Sequence, residues 1–396
     1  MKLDQGKSMS PLILPNDKII VAKTSSLKVN DIVVFKKEKR LIAHRLIYIS
    51  PSKDFLVTKG DNNLKSDGKI KPSQILGKVN FIKRNGETIK LSHIYLSQSS
   101  AYLQELIKIN KALDQKHIPY IFLKGLPLHL HFGQTFPKRL YLDADILTNR
   151  TSSTQVDKVL VSFGFKKQKR TLFDKKNTES TQISYLKETK PFPVIIDLHL
   201  EPAIGFTKLK SINKLLPSTK QFAQYLFKNI QIIKLDKRSF PILNTETLIL
   251  YLFLHLYHHN FHGAHRLEFI DAVIKNQKID WDKVATTTQK FNFTNFVLPG
   301  VSILRHYYET PLPTTFLKTT TPFPAQRLAA KAITKFISPF NSGTRAQEGV
   351  KRAILLFLLS PSSPTMKAKI LFHKEIRSYF LPTIKSLVFK APTNSS

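Results

Sequence analysis

Two sets of residues in this chain have the types and spacing that chemistry needs. The first is acidic. Asp143-Ala144-Asp145 sits inside the run Arg139-Leu140-Tyr141-Leu142-Asp143-Ala144-Asp145-Ile146-Leu147. Side chains in a strand alternate faces, so Asp143 and Asp145 point one way while Leu142, Ala144 and Ile146 point the other. Two adjacent carboxylates repel unless a cation lies between them, and a hard divalent ion such as Mg²⁺ or Mn²⁺ suits all-oxygen ligands. A third acid, Asp197, lies in the apolar run Pro193-Val194-Ile195-Ile196-Asp197-Leu198-His199. Three acids on adjacent strands can hold two metals, which activate a hydroxyl and neutralise triphosphate charge. An isolated Asp-x-Asp is often a solvated turn; the apolar residues on both sides argue for a strand.

More of the chain falls into the same pattern. Phe122-Leu123-Lys124-Gly125 precedes the acids, and Phe163-Gly164-Phe165 follows them. Further on stand His262-Gly263-Ala264-His265-Arg266-Leu267, Asp271 and Ile279-Asp280-Trp281. Together with Arg139 and Ile196-Asp197-Leu198-His199, these resemble a poorly characterised bacterial nucleotidyltransferase family of the polymerase-beta superfamily, over about residues 95–380. The resemblance implies an NTP substrate, metal ligation by Asp143, Asp145 and Asp197, and triphosphate contacts from Lys124 and Gly125. It also places Arg139, His262, His265 and Arg266 at the nucleotide or acceptor pocket, where Arg266 would neutralise phosphate. One departure is Leu126, which stands where the family has a second small residue after Gly125.

The second set lies near the start: Gly6-Lys7-Ser8-Met9-Ser10-Pro11, then Ala43-His44-Arg45-Leu46, then Thr58-Lys59-Gly60-Asp61-Asn62-Asn63 and Asp67. Singly, a Ser beside Gly is a turn residue and a His in a strand is structural. In this order they resemble signal peptidases of the archaeal and endoplasmic-reticulum type, over roughly the first 80 residues. That resemblance implies Ser8 as nucleophile and His44 as general base, with Asp61 and Asp67 at the two acidic positions, one of them orienting His44. The physical logic is the same: a hydroxyl needs a base within reach, and imidazole takes and returns its proton near neutral pH. The membrane helix that normally precedes the serine motif is not in the sequence, so the expected substrate is a soluble peptide or protein.

A third cluster, His255, His258, His259, His262 and His265, places pairs four apart on shared helix faces. Zinc is an alternative use for it. No Glu stands in a zincin arrangement, so a pocket-lining and packing role is the preferred reading.

The elements that must hold these residues fall into three stretches. Up to about residue 90, short β-rich runs (Lys18–Ala22, Asp31–Phe35, Leu41–Ile49, Phe55–Lys59 and Ile75–Lys83) alternate with turn clusters. Beyond Ser92, a helix over Ser100–Gln115 opens a mixed α and β stretch. After about residue 202 the pattern is mostly helical, with helices over Lys220–Asn229, Thr245–His258, Ala264–Lys275 and Ala325–Phe336, and a loop over Thr310–Pro324. The expected architecture is multi-domain: a small all-β signal-peptidase/LexA-like domain over 1–92, an α+β nucleotidyltransferase core over 93–215, and its helical C-terminal region over 216–396.

Composition bounds the rest. With 42% hydrophobic and 22% charged residues, the 396-residue chain is globular in character. It has no Cys, which excludes disulfides, thiolate metal sites and a Cys nucleophile. A formal net charge of +35 attracts polyanions, although much of it is Lys spread along the whole length. No apolar run reaches the ~18 residues of a spanning helix, and Lys2, Asp4 and Lys7 interrupt any leader at the start. The expectation is a cytoplasmic protein, with nucleic-acid binding and peripheral membrane contact as options rather than requirements. The preferred function is bifunctional: a serine endopeptidase joined to a metal-dependent nucleotidyltransferase. The alternatives are an active transferase with a peptide-binding β domain, or a basic nucleic-acid-binding protein with degenerate sites.

Overall fold

The computed structural model describes residues 6–24, 26–133, 137–168, 181–189, 192–202, 204, 210–217, 219–235, 237–320, 328, 332–333 and 337–373. The β-rich runs of the first stretch become β1 (Lys18–Ala22), β2 (Ile32–Lys37), β3 (Arg40–Ile49), β4 (Leu56–Lys59), β5 (Lys69–Ile70), β6 (Ile75–Arg84) and β7 (Glu87–Lys90). They form one sheet in the order β1-β6-β2-β3-β4-β5, with β7 on β6. The Arg84-Asn85-Gly86-Glu87 cluster closes the β6–β7 hairpin, with Asn85 at φ 51° and Gly86 at φ 88°, as a two-residue type I′ turn requires. Strand β2 is covered on both faces of the sheet. Ile32 and Val34 enter one apolar cluster with Val79, Ile82 and Leu91, while Val33 and Phe35 enter another with Leu46, Leu56 and Ile70.

Helix α1 (Leu91–Gln115) leaves that sheet and runs into the next. Leu91 and Tyr95 complete the first core, and Tyr102, Leu106, Ile109 and Leu113 belong to the second. The helix therefore begins nine residues before the expected Ser100, and residue 92 lies in its first turn. Its early turns lack a sequence stripe of their own because half of their partners are in the first sheet.

The second sheet has β8 (Tyr120–Lys124), β9 (Asp143–Thr148), β10 (Lys166–Lys167), β11 (Gln182–Lys187), β12 (Val194–His199), β13 (Ile230–Leu235) and β14 (Arg238–Leu243), in the order β10-β11-β12-β9-β8-β14-β13. Strand β9 pairs parallel to β12 and antiparallel to β8. Around it lie α2 (Leu126–Gly133), α3 (Ser153–Ser162), α4 (Lys210–Asn213), α5 (Thr219–Lys228), α6 (Thr245–His258), α7 (Ala264–Asn276), α8 (Trp281–Lys290), α9 (Thr294–Tyr308) and α10 (Thr314–Thr320). Helices over Arg345–Leu359 and Pro364–Leu371 follow. Helix α6 is buried on every side from Thr247 to Tyr257, as expected of an element apolar all round.

Two expectations fail here. The stretch read as mostly helical, with no strand expected after 216, contributes β13 and β14, the edge of this sheet. The Thr/Pro-rich loop contains α10, because Phe316 is fully buried against Trp281, 4.7 Å away between ring centroids. Packing has overridden weak helix propensity there. The expected helix over Ala325–Phe336 and residues 321–324 of the loop lie almost wholly outside the described residues.

The first sheet is joined to the helices of the second unit by specific contacts. Tyr48 of β3 donates to the Tyr307 carbonyl at 2.6 Å and packs against Tyr307, Tyr308 and Phe340. Among the described residues, no helix is long and apolar enough to cross a membrane.

Candidate active sites

Strand β9 presents Asp143 and Asp145 on one face, and its parallel register with β12 sets Asp197 opposite Asp145. All three act on one neighbour: the Tyr102 hydroxyl is pushed well above its ordinary pKa by burial, then by Asp143, Asp145 and Asp197. Strand β8 ends at Lys124, and Gly125 follows at φ 100°, in the left-handed region that favours glycine. A Cβ on Gly125 would meet the Asp143 carbonyl at 3.3 Å. The departure at Leu126 does not crowd this turn, because its side chain is fully buried in the core at the start of α2.

Asp145 is the most constrained acid. His199 Nε2 lies 2.7 Å from its Oδ1 and Lys124 Nζ 2.9 Å from its Oδ2. Burial works to raise its pKa; Lys124 and His199 outweigh burial and lower it to about 2. The Lys124 ammonium forms an ion pair off hydrogen-bonding alignment, so Oδ2 keeps no directional partner although it is buried. Asp143 faces the opposite way energetically: burial and then the like charge of Asp145 raise its pKa. Asp197 accepts a short hydrogen bond from Ser184 Oγ.

These groups border a cavity of about 870 Å³. Lys124, Gly125, Arg139, Asp143, Asp145, His265 and Arg266 line it, as do Lys28, Asn30 and Glu268. Asp197 stands beside Asp145 but outside that lining. Cations outnumber acids on the wall. Arg266 is lowered to about 10 by enclosure and then by the Arg139 charge, and Lys59 is lowered by burial and then by Arg266. His265, an exposed residue on the cavity lining, is held below its usual pKa by desolvation and then by the Arg266 charge. A second cavity, about 750 Å³, opens between β8, β14 and α5; Asp114 is its one acid, and the three acids lie elsewhere.

The histidine cluster supports Arg266. His259 Nε2 lies 3.3 Å from an Arg266 Nη and 3.2 Å from His255 Nε2. Enclosure first, then the nearby cations, hold His255, His258 and His259 far below their ordinary pKa. His262 departs from expectation: Gly263 at φ 110° breaks the chain between α6 and α7, and His262 turns to Glu348, 2.9 Å away, rather than to the cavity. Among the described residues, no group of three His, Asp or Glu side chains is arranged to hold a metal ion, in this cluster or at the acids. The acids nevertheless suit a divalent cation. Asp145 is already held by Lys124 and His199, while Asp143 is raised by burial and by the like charge of Asp145, a repulsion that a divalent cation between the two carboxylates would relieve.

The serine set converges on the other sheet. Ser8 Oγ is 2.9 Å from His44 Nε2, and His44 Nδ1 is 2.7 Å from Asp67 Oδ2. Thr58 donates to the same Asp67 oxygen at 2.8 Å. A carboxylate at Nδ1 fixes the tautomer that leaves Nε2 free to accept a proton. Gly60 packs under Ser8, where a Cβ would come 2.8 Å from the Ser8 carbonyl, and Asn62 N–H donates to that carbonyl at 2.7 Å. Asp61 does not approach His44. It grips Arg45 through Nε at 2.6 Å and an Nη at 2.7 Å, because neighbours on β3 point to opposite faces.

Sequence reasoning had not singled out His199, Asn30, Arg45 or Glu268. His199 had a signal: two residues after Asp197 on one strand, it must share the acid's face.

The family described as uncharacterised nucleotidyltransferase matches residues 92–309, more than half of the chain. That match begins after β7 and leaves the serine set outside it. No curated protein matches. Among solved structures, an antigenic nucleotidyltransferase-like protein from Paracoccidioides brasiliensis matches at 15% identity, covering 52% of this chain and 91% of that one with a TM-score of 0.29.

Proposed function

The chain belongs to the uncharacterised nucleotidyltransferase family, and we propose that it transfers a nucleotidyl group from an NTP at the 870 Å³ cavity with the help of Mg²⁺ or Mn²⁺. The observation that carries this is the meeting of Lys124, Arg139 and Arg266 with Asp143 and Asp145 on one wall. Three cations gathered on one enclosed wall attract a polyanion, which relieves their repulsion. Asp143 and Asp145, with Asp197 as the neighbouring third acid, are the residues that would hold the metal. A bound divalent ion would neutralise triphosphate charge and favour ionisation of the acceptor hydroxyl. Lys124, at the Gly125 turn, and the two arginines orient the phosphates. His199 keeps Asp145 aimed at the cavity. The test is isothermal titration of Mg·ATP into the full chain: binding by the parent and its loss in Asp143→Asn/Asp145→Asn is expected, and equal binding by both refutes the site.

A second activity is favoured by the Ser8–His44–Asp67 chain of contacts. In this reading Ser8 attacks a peptide carbonyl, His44 takes the hydroxyl proton and returns it to the leaving amine, and Asp67 holds the imidazole. The substrate class is a peptide or protein. A Ser8→Ala protein that cleaved a peptide library as well as the parent would remove this activity and leave the transferase with a peptide-binding sheet.

A further inference from the structure

The cavity is not built by the family-matched residues alone. Leu27, Lys28, Val29 and Asn30, in the β1–β2 connection, and Ile49 of β3 come from the N-terminal sheet and its loops. Asn30 donates its side-chain amide to both oxygens of Glu268 on α7, at 3.2 and 3.4 Å. Its backbone stands in the left-handed region at φ 74°, a conformation that persists only where contacts hold it. The Leu46 carbonyl accepts its N–H at 2.8 Å, and its own carbonyl accepts from Arg45 Nη1 at 3.0 Å.

Arg45 is the centre of this arrangement. It is 6% exposed. One edge of its guanidinium is held by Asp61 in a two-point ion pair. The other edge donates to the Lys138 carbonyl at 2.8 Å and reaches the Tyr95 hydroxyl at 3.3 Å. Lys138 immediately precedes Arg139, whose guanidinium lies 4.4 Å over the Tyr141 ring on the cavity wall. The segment 137–142, which leads into β9, belongs to no strand or helix. Arg45 is its hydrogen-bonded tie to the first sheet.

We propose that the N-terminal sheet forms one wall of the nucleotide cavity, and that Arg45, fixed by Asp61, is a positioning residue that sets Arg139 against the polyphosphate. This rests on reading the cavity as an NTP site. It gives Asp61 a role that the serine site does not use. It also joins the two sites physically: the segment Gly60–Asn62 packs on Ser8 at one end and grips Arg45 between.

The experiment is a double-mutant cycle on the full chain, read by isothermal titration of Mg·ATP, with thermal melting to confirm folding. Arg45→Gln should weaken binding about 10-fold in the parent and less than about twofold in an Arg139→Gln background, because a residue acting through Arg139 has nothing left to position. Asp61→Asn, which leaves Arg45 in place, should follow the same pattern at about 3-fold, and it serves if Arg45→Gln does not fold. Equal losses in both backgrounds, or no loss in the parent, overturn the proposal while leaving the cavity's function standing. A parent that binds no Mg·ATP overturns the cavity reading itself, and this inference with it.

Discussion

The serine site and the acid-lined cavity are built on opposite electrostatic plans. At Ser8, each functional atom has its partner: hydroxyl to imidazole, imidazole to carboxylate, carboxylate to the Thr58 hydroxyl. In the cavity, Lys124 and His199 pair with Asp145, yet like charges also face one another. Arg266 is depressed by enclosure and Arg139, Asp143 is raised by burial and Asp145, and a buried oxygen of Asp145 lacks a directional partner. Under the proposed functions, the first is a relay set before its substrate arrives, and the second a cavity completed by a ligand that brings both signs of charge, as a metal–polyphosphate does. The comparison teaches that preorganisation takes two forms in one chain, hydrogen-bond completion and stored charge imbalance.

The contrast can be broken most forcefully at Ser8. A fluorophosphonate probe should label the parent at Ser8, and His44→Ala should slow labelling by roughly 10³-fold or more. Labelling unaffected by His44→Ala would show that the relay is only structural. Next in size is the cavity. Asp143→Asn/Asp145→Asn should weaken Mg·ATP binding by about 100-fold or more, and removing divalent ions with a chelator should do the same to the parent. Binding that survives chelation would mean that the cavity's own cations suffice.

The two acids near His44 sharpen the picture further. Asp67→Asn should slow Ser8 labelling by roughly 10²-fold or more, since the amide favours the wrong imidazole tautomer. Asp61→Asn should change labelling by less than about threefold, because its carboxylate holds Arg45. Comparable effects from both would dissolve the separation between the faces of β3. The smallest effect concerns backbone. Gly60→Ala forces a Cβ to 2.8 Å from the Ser8 carbonyl, and Gly125→Ala forces a side chain onto φ 100°. Each should cost about 1–3 kcal/mol in chemical denaturation. Gly60→Ala should disturb labelling more than nucleotide binding, and Gly125→Ala nucleotide binding more than labelling.

Much of both sites was legible because alternation along a strand is a strong local rule. It placed Asp143 with Asp145; the same rule, not applied to β3 from the sequence, explains why Arg45 turns away from His44. Ser8, His44 and Asp67 could be set together only through the order of a known motif, since contacts 23 and 36 residues apart leave no periodic trace. The choice between Asp61 and Asp67 required the path of the turn after β4. The β13–β14 hairpin escaped notice because Pro241 interrupts its second strand, and the start of α1 because its first turns pack on a different sheet from its last. Glu268 and Asn30 acquire meaning only from each other, across 238 residues of sequence.

The most direct test of the central claim is an experimental structure of the full chain with Mg²⁺ and a non-hydrolysable ATP analogue. The cation should lie about 2.0–2.1 Å from oxygens of Asp143 and Asp145, with the phosphates against Lys124, Arg139 and Arg266. A nucleotide seated elsewhere, with the Lys124–Asp145 pair undisturbed and no metal at the acids, would contradict it.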